Sequence, residues 1–235
     1  MSDRDPTGRG AGVQNGPVEV PLLERVPEAT RQRVLGRAHR HQYERGDIVF
    51  HEQDVGDTLH LITEGHLAVQ VGTVLGDTAT LTVLGPGDSF GEIALVAEYQ
   101  RTASIVALEP SATLALHRHE FEALRAEDAS VNHFLVEILA RQVSRLTTQL
   151  IDAYYLPAEH RVLRRLADLS DVYYNAYGPI VIPLHQEMLA TLAGTSRPTV
   201  NRVLGDAAAE GLLSLTRGRV TVLDPDGLKR KAESG

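Results

Sequence analysis

Arg197 and Arg202 stand five residues apart in the stretch Gln186-Glu-Met-Leu-Ala-Thr-Leu-Ala-Gly-Thr-Ser-Arg-Pro-Thr-Val-Asn-Arg-Val-Leu. An arginine fork can bond O6 and N7 of a guanine edge together. The hydroxyls of Ser196 and Thr199, on the same segment, suit phosphate oxygens. Further on, Arg217 and Arg219 flank Gly218 and offer two more fixed charges to a phosphate backbone. Specific elements must position these groups. Met188, Leu189 and Leu192 fall on one helical face, and Ala190 and Ala193 allow a second helix to cross closely. Gly194 fits a left-handed helix stop, Ser196 an N-cap, and Pro198 the first turn of the next helix, where a missing N–H is harmless. Val200, Val203 and Leu204 then point inward, leaving Arg197, Thr199, Asn201 and Arg202 outward. Two helices joined by a short glycine turn make a helix-turn-helix, whose second helix enters the major groove. The strands Leu213-Ser-Leu-Thr and Val220-Thr-Val-Leu, joined across Arg217-Gly-Arg219, add a hairpin wing. Gln186, Ser196, Arg197, Thr199, Arg202, Arg217 and Arg219 form the expected face for double-stranded DNA. The caps and the turn weigh against the alternative, a solvated helix in an all-helical interaction domain.

The rest of the chain must position this reader. Its 235 residues allow one large domain or two small ones. With 43% hydrophobic and 23% charged residues the composition is globular. The absence of cysteine excludes disulfides, thiolate zinc sites, cysteine-ligated iron–sulfur clusters and a cysteine nucleophile. The longest stretch without a formal charge, Val172 to Gln186, is 15 residues and holds two prolines, too short for a membrane span of about 20. The first residues lack the apolar core of a signal peptide, so the expected compartment is the cytoplasm. A net charge of −8 counts at first against nucleic acid. It is unevenly spread: residues 158–235 carry 10 basic and 9 acidic side chains, a balance of +1, and the preceding residues carry −9.

Residues 1–19 read as a polar disordered arm. A short helix is expected from Pro27 to Ala38. From His39 to about Leu116 short strands alternate with glycine turns such as Arg45-Gly-Asp, Thr63-Glu-Gly and Gly85-Pro-Gly-Asp, the texture of a sandwich or barrel. His119 to Asp152 reads as helices. Within them Leu135, Leu139, Gln142, Leu146, Gln149 and Ala153 follow a 4-3-4-3-4 rhythm, widened by Ile138, Val143 and Leu150. This is the seam of a two-stranded coiled coil, although a helix packed on its own domain has the same period. Pro157, after Tyr154-Tyr155-Leu156, marks a hinge.

The segment Gly85-Pro-Gly-Asp-Ser-Phe-Gly-Glu-Ile-Ala-Leu, followed by Gln100-Arg-Thr-Ala-Ser-Ile-Val-Ala, resembles the phosphate-binding cassette of cyclic-nucleotide-binding domains. Upstream, Tyr43-Glu-Arg-Gly-Asp-Ile-Val-Phe-His-Glu-Gln-Asp-Val-Gly-Asp and Leu61-Ile-Thr-Glu-Gly match the same domain's glycine turns. With the winged end, the chain from about Val20 onward resembles the Crp/Fnr family of bacterial transcription regulators, and within it the cyclic-AMP receptor proteins. The resemblance implies an α+β fold: a cyclic-nucleotide-binding β-roll, jelly-roll-like, over 20–130, a dimerisation helix and hinge over 131–156, and a winged helix-turn-helix domain over 157–235. It also implies cyclic AMP as allosteric effector, a homodimer on a two-fold-symmetric operator, and RNA polymerase as a further partner. Carried over residue by residue, Arg101 pairs with the phosphate, helped by the Thr102 hydroxyl. Gly91 lets backbone approach, the amides near Ile93 and Ala94 face an anion, Glu92 accepts from the ribose hydroxyl, and Leu84 joins the apolar wall. The plainer readings are an Arg101–Glu98 surface pair and a solvated Glu92.

Two positions depart from the family pattern. Where the long helix should carry a hydroxyl pair reaching the base from each subunit, an ungapped match gives Leu146 and Thr147, and the pair Thr147-Thr148 lies one step later. Pro198 stands where the cyclic-AMP branch has an acidic residue, so a base contact there is lost. Among rival readings, the pairs His39/His41 and His117/His119 share strand faces as metal ligands do, but no third clustered acid accompanies them. No motif singles out a haem ligand. The chain has no G-x-S-x-G, Walker loop or H-E-x-x-H, so an enzyme is not expected. A channel or kinase subunit would leave the wing unexplained. The competing functional reading is a regulator of the same fold that binds DNA without a ligand or answers another effector.

Overall fold

The computed structural model describes residues 27–74, 76–96 and 100–234. The polar arm and Glu98 lie outside the described residues. Helix α1 (Glu28–Arg37) leads into eight strands: β1 (His39–Tyr43), β2 (Ile48–Phe50), β3 (Thr58–Glu64), β4 (Leu67–Gly72), β5 (Thr78–Leu84), β6 (Ser89–Phe90), β7 (Ser104–Ala107) and β8 (Ser111–His117). A one-turn helix, α2 (Ile93–Val96), separates β6 from β7. The strands form two antiparallel sheets ordered β1-β8-β3-β6 and β2-β7-β4-β5, the double-sheet jelly roll. Turn chemistry sets the corners. At Gly65, φ is +76°, and a Cβ would lie 2.5 Å from the Pro110 carbonyl oxygen, so only glycine closes the β3–β4 corner.

The roll has two cores. Ile62, Leu67, Leu84, Phe90, Ile105 and Ala107 fill the space between the sheets. Leu59, Leu61, Leu114 and Leu116 face outward and are covered by Val34 of α1, by Phe121 and Leu124 of α3 (Arg118–Glu127), and by Phe134, Leu135 and Ile138 of α4 (Val131–Tyr155). This corrects the expected seam. Leu135 and Ile138 belong to the chain's own core, and Gln142 faces the roll. The apolar stripe left exposed is Val136, Val143, Leu146 and Leu150, with half-buried Leu139, a 3-4-3-4 rhythm that keeps Leu139, Val143, Leu146 and Leu150 of the expected seam and its margin and replaces Leu135 and Ile138 by Val136.

Helix α4 ends at Tyr155, and Leu156 takes the extended conformation favoured before proline. Beyond Pro157 come α5 (Ala158–Val172), β9 (Ile180–Ile182), α6 (Gln186–Leu192), α7 (Arg197–Ala209), β10 (Leu213–Thr216), β11 (Arg219–Val222) and α8 (Pro225–Glu233). The small sheet runs β10-β11-β9. Val162, Leu166, Leu189, Val200, Leu204 and Val220 meet in one core beneath it. Ser196 caps α7 by accepting from the Thr199 amide, with proline in the first turn, and Gly194 has φ +57°. Arg161 of α5 holds the turn between the two helices from below. Its Nε and Nη2 donate to the Ala193 and Gly194 carbonyls at 2.9 Å, and its Nη1 reaches Leu156 O across the hinge.

Two further contacts fix the joint. Asp152, buried near the end of α4, accepts from Arg164 Nη1 and Arg165 Nη2 of α5, each at 2.9 Å. On the other side His66 bridges the Glu109 carboxylate (2.5 Å) and Val172 O (3.1 Å) while its ring stacks on Tyr173 at 3.8 Å. Removing Asp152 leaves two arginines facing each other without their shared anion. Asp152→Ala should therefore cost about 2–3 kcal/mol, below the range for a fully buried pair because Arg164 remains partly solvated. A urea denaturation series checks this, with a shift within experimental error as the contrary result.

Candidate functional site

One cleft of about 540 Å³, its open mouth included, lies between the β5–β7 side of the roll and α4. Leu84, Gly91, Glu92, Ile93, Ala94, Arg101 and Thr102 all line it, with Phe50, Val69 and Phe90 as apolar wall. From α4 the lining residues are Gln142 and Arg145. Thr147 and Thr148 do not line it. Gln142 and Arg145 are one helical turn apart on the face turned to the roll; Thr147, two residues beyond Arg145, is rotated about 200° from it and is exposed. Thr148 is also exposed, donates to Ser144 O at 3.2 Å, and borders a neighbouring cleft between β5, α4 and α5. The Ala94 amide is turned to Gly91 O at 3.2 Å, closing the helical turn.

Arg101 forms the polar floor of the cleft and is only 7% exposed. Nη1 donates to Thr58 O (2.9 Å) and Gly91 O (3.3 Å), Nη2 to Thr58 Oγ1 (2.7 Å), and the guanidinium carbon sits 3.9 Å over the Phe50 ring. Two glycines make room for it: a Cβ on Gly56 would fall 2.2 Å from its Nε, and one on Gly91 2.6 Å from its Nη1. Among the described residues Nε, though buried, has no hydrogen-bond partner. Burial lowers the guanidinium's pKa, an effect that Asp57, Glu92 and Asp54 offset in part. A buried cation with an idle N–H at the floor of a cleft fits an anionic group such as a phosphate. Glu92, 3% exposed, is pushed upward by burial, against the pull of its own backbone amide, Arg145 and Arg101. It is an acceptor shielded from water and aimed along the same wall.

Beneath Arg101 lies a buried histidine. His60 stacks on Phe90 at 4.9 Å, its Nε2 is 3.1 Å from Thr58 Oγ1, and its Nδ1 is 3.1 Å from Thr113 Oγ1. Burial, then the charge of Arg101, drive its pKa down to about 3. The unfolded chain protonates this ring near pH 6.5 and the folded roll does not. Stability from this group is complete above pH 6.5 and is lost as pH falls from there towards 3. The urea midpoint should drop on acidification from pH 7 to 5, by up to about 1 kcal/mol per unit, and His60→Phe should flatten the slope; an unchanged slope contradicts it.

A second cleft, of about 830 Å³, opens between the start of α6, the start of α7 and the wing. It gathers Gln186, Arg197, Arg217 and Arg219, together with His185 and Glu187. The other expected reader residues are placed differently. Ser196 Oγ and Thr199 Oγ1 bond each other at 3.0 Å. Arg202 faces outward as expected but is paired at the surface: its Nη2 donates to Glu159 Oε1 of α5 at 2.6 Å. That bond raises the Arg202 pKa and lowers that of Glu159.

The family model for the cyclic nucleotide-binding domain matches residues 40–128, and that for the Crp-like helix-turn-helix domain matches residues 160–231. The chain is 36% identical over 202 residues to a cyclic AMP receptor protein of Thermus thermophilus, covering 86% of this chain and 92% of that one. The chain belongs to the CRP/FNR family of transcription regulators. A CRP-like cAMP-activated global transcriptional regulator of Mycobacterium tuberculosis is 30% identical over 193 residues, covering 81% of this chain and 86% of the relative. In fold, a CRP/FNR transcriptional regulator of Thermus thermophilus superposes with a TM-score of 0.70 at 24% identity, covering 83% of this chain and 99% of that one.

As a CRP/FNR regulator the chain joins a cyclic nucleotide-binding domain to a DNA-binding helix-turn-helix domain. Among the described residues no helix is long and apolar enough to cross a membrane. No group of three or more His, Asp or Glu residues among them is placed to hold a metal. Instead His39 is paired with Glu120 (3.1 Å) and His117 with Asp57 (3.3 Å). Three groups at the clefts went unread in the sequence: Gln142 and Arg145, and His185, which sits at the N-cap of α6 and against Gly218 of the wing. The position of His185 directly before Gln186 was a usable signal. Nothing in the α4 sequence marks Gln142 and Arg145, because their role depends on how that helix is rotated.

Proposed function

We propose that the protein is a cyclic-AMP-responsive, sequence-specific DNA-binding regulator that works as a homodimer. One observation carries this reading: Arg101, buried with an idle Nε among the described residues, forms the floor of a cleft whose other wall is α4. In this reading the nucleotide phosphate takes that N–H and the Thr102 hydroxyl, Glu92 accepts from the ribose 2′-hydroxyl, and the purine lies against Leu84, Val69 and the Gln142–Arg145 face of α4. The name of the Thermus relative, a cyclic AMP receptor protein, supports cyclic AMP as the nucleotide. The exposed stripe Val136, Val143, Leu146 and Leu150 supports a second copy packed along α4, since its 3-4 spacing is that of a coiled-coil seam.

The same helix lines the cleft and runs to Pro157, so a ligand bearing on Gln142 and Arg145 acts on the helix that carries the reader. Two copies then set their α7 helices to meet half-sites about 34–36 Å apart. Arg197, Arg217, Arg219 and Gln186 contact DNA from the lower cleft, with Ser196 and Thr199 on phosphate, and Arg202 joins them by leaving Glu159. The nucleotide-binding unit spans 20–130, the dimer helix and hinge 131–156, and the reader 157–235. A gel-shift titration on a duplex selected from a randomised pool tests the reading. Cyclic AMP should tighten binding severalfold, and equal affinity with and without it overturns the proposal in favour of a regulator without this effector.

A further inference from the structure

We propose that His60 is a positioning residue for the anion-binding arginine: held as its Nδ1–H tautomer, it fixes the direction of the Thr58 hydroxyl, and that hydroxyl fixes the Arg101 guanidinium at the floor of the cleft. This rests on the reading of that cleft as a nucleotide phosphate site.

The direction of each bond follows from what each group can give. A guanidinium donates and never accepts, so the 2.7 Å contact from Arg101 Nη2 uses a lone pair of Thr58 Oγ1 and leaves the hydroxyl proton to be placed. Among the described residues the acceptor within reach of that proton is His60 Nε2, at 3.1 Å. An accepting Nε2 carries no proton, so the neutral ring holds its single proton on Nδ1 and donates it to Thr113 Oγ1, 3.1 Å away and fully buried. The opposite tautomer leaves the Thr58 hydroxyl proton without an acceptor in this network. Stacking on Phe90, nearly parallel at 4°, removes the ring's freedom to rotate, and Phe90 itself lines the cleft. His60 touches no part of the cleft opening and acts only through Thr58. The expected signature is a loss confined to the charged part of a ligand.

The test uses the full chain and two probes, cyclic AMP and uncharged adenosine, with affinities read by calorimetry or NMR titration. His60→Phe keeps the stacked ring and removes the acceptor. It should weaken cyclic AMP by up to about tenfold, the upper worth of one hydrogen bond between neutral groups, and leave adenosine unchanged. His60→Gln, whose Oε1 can accept from Thr58, should recover most of the loss. Thr58→Val, which also removes the acceptor of Arg101 Nη2, should lose at least as much as His60→Phe, and the double variant no more than Thr58→Val alone. Ring nitrogen NMR of the wild type should report a proton on Nδ1. Equal weakening of both probes, undiminished cyclic AMP binding in His60→Phe, or a proton on Nε2 overturns the proposal. A wild-type chain that binds no cyclic AMP overturns the cleft reading instead, and the wild-type titration separates the two failures.

Discussion

Arg101→Ala is expected to weaken cyclic AMP binding at least about 100-fold, because a charge-assisted, forked contact with a phosphate is worth roughly 3 kcal/mol in a cleft shielded from water. DNA affinity measured with saturating nucleotide should fall to the value measured without it. Folding stability should fall modestly, because the bonds to Thr58 and Gly91 and the contact with Phe50 are lost. Removal of a buried cation whose Nε is unsatisfied among the described residues offsets part of that loss. Arg101→Lys should not rescue binding, since an ammonium cannot occupy both Thr58 oxygens and present a further planar N–H. Calorimetry with cyclic AMP beside a urea series on the same variant checks both halves. Retained nucleotide affinity would remove the cleft from the account.

Arg197→Ala is expected to produce the second largest loss, about 1–3 kcal/mol of DNA affinity, concentrated at one base position of the selected site. Arg197 lies in the lower cleft beside Arg217 and Arg219 and carries no ion pair among the described residues, so its fork is available without rearrangement. Arg202 differs. It is bonded to Glu159, and a base must displace that carboxylate before gaining the contact. Arg202→Ala should therefore cost less than Arg197→Ala. Both are measured by gel shift on the selected duplex and on single-base variants of it. A uniform loss across all sequences would demote Arg197 to a phosphate contact. The reader's balance of only +1 means that these few arginines carry the work of a broad basic field, so binding should fall steeply with salt.

Where a local rule decides the structure, the sequence was readable. Gly194, Ser196 and Pro198 are stop, cap and first-turn residue in the folded chain as in the string, because each acts on its own few backbone groups. The glycine corners of the roll follow for the same reason, and the cassette from Gly85 to Thr102 is compact enough for its members to reach one cleft. Four kinds of feature were not legible. Strand β6 is too short to show a period. Helix α8 carries a fitting Asp224 cap and Pro225, but Gly227 within a nine-residue span hid it. Rotation was the larger failure. The apolar residues of α4 form one broad face, and only packing shows that Leu135 and Ile138 are covered by the chain's own roll while Val136 joins Val143, Leu146 and Leu150 outside. The same rotation turns Gln142 and Arg145 to the cleft and carries Thr147 away. Pairings across long separations, Arg202 with Glu159 and Arg101 with Thr58, have no local signature at all.

In the proposed mechanism one helix couples the upper cleft to the reader, so the two ligands must favour the same state. By linkage, DNA must raise nucleotide affinity by the factor with which the nucleotide raises DNA affinity. Calorimetric titration of cyclic AMP into the full chain, free and bound to the selected duplex, measures this directly. Binding to the DNA-bound protein should be tighter, by the factor found in the gel-shift titration. The same affinity in both titrations would contradict it.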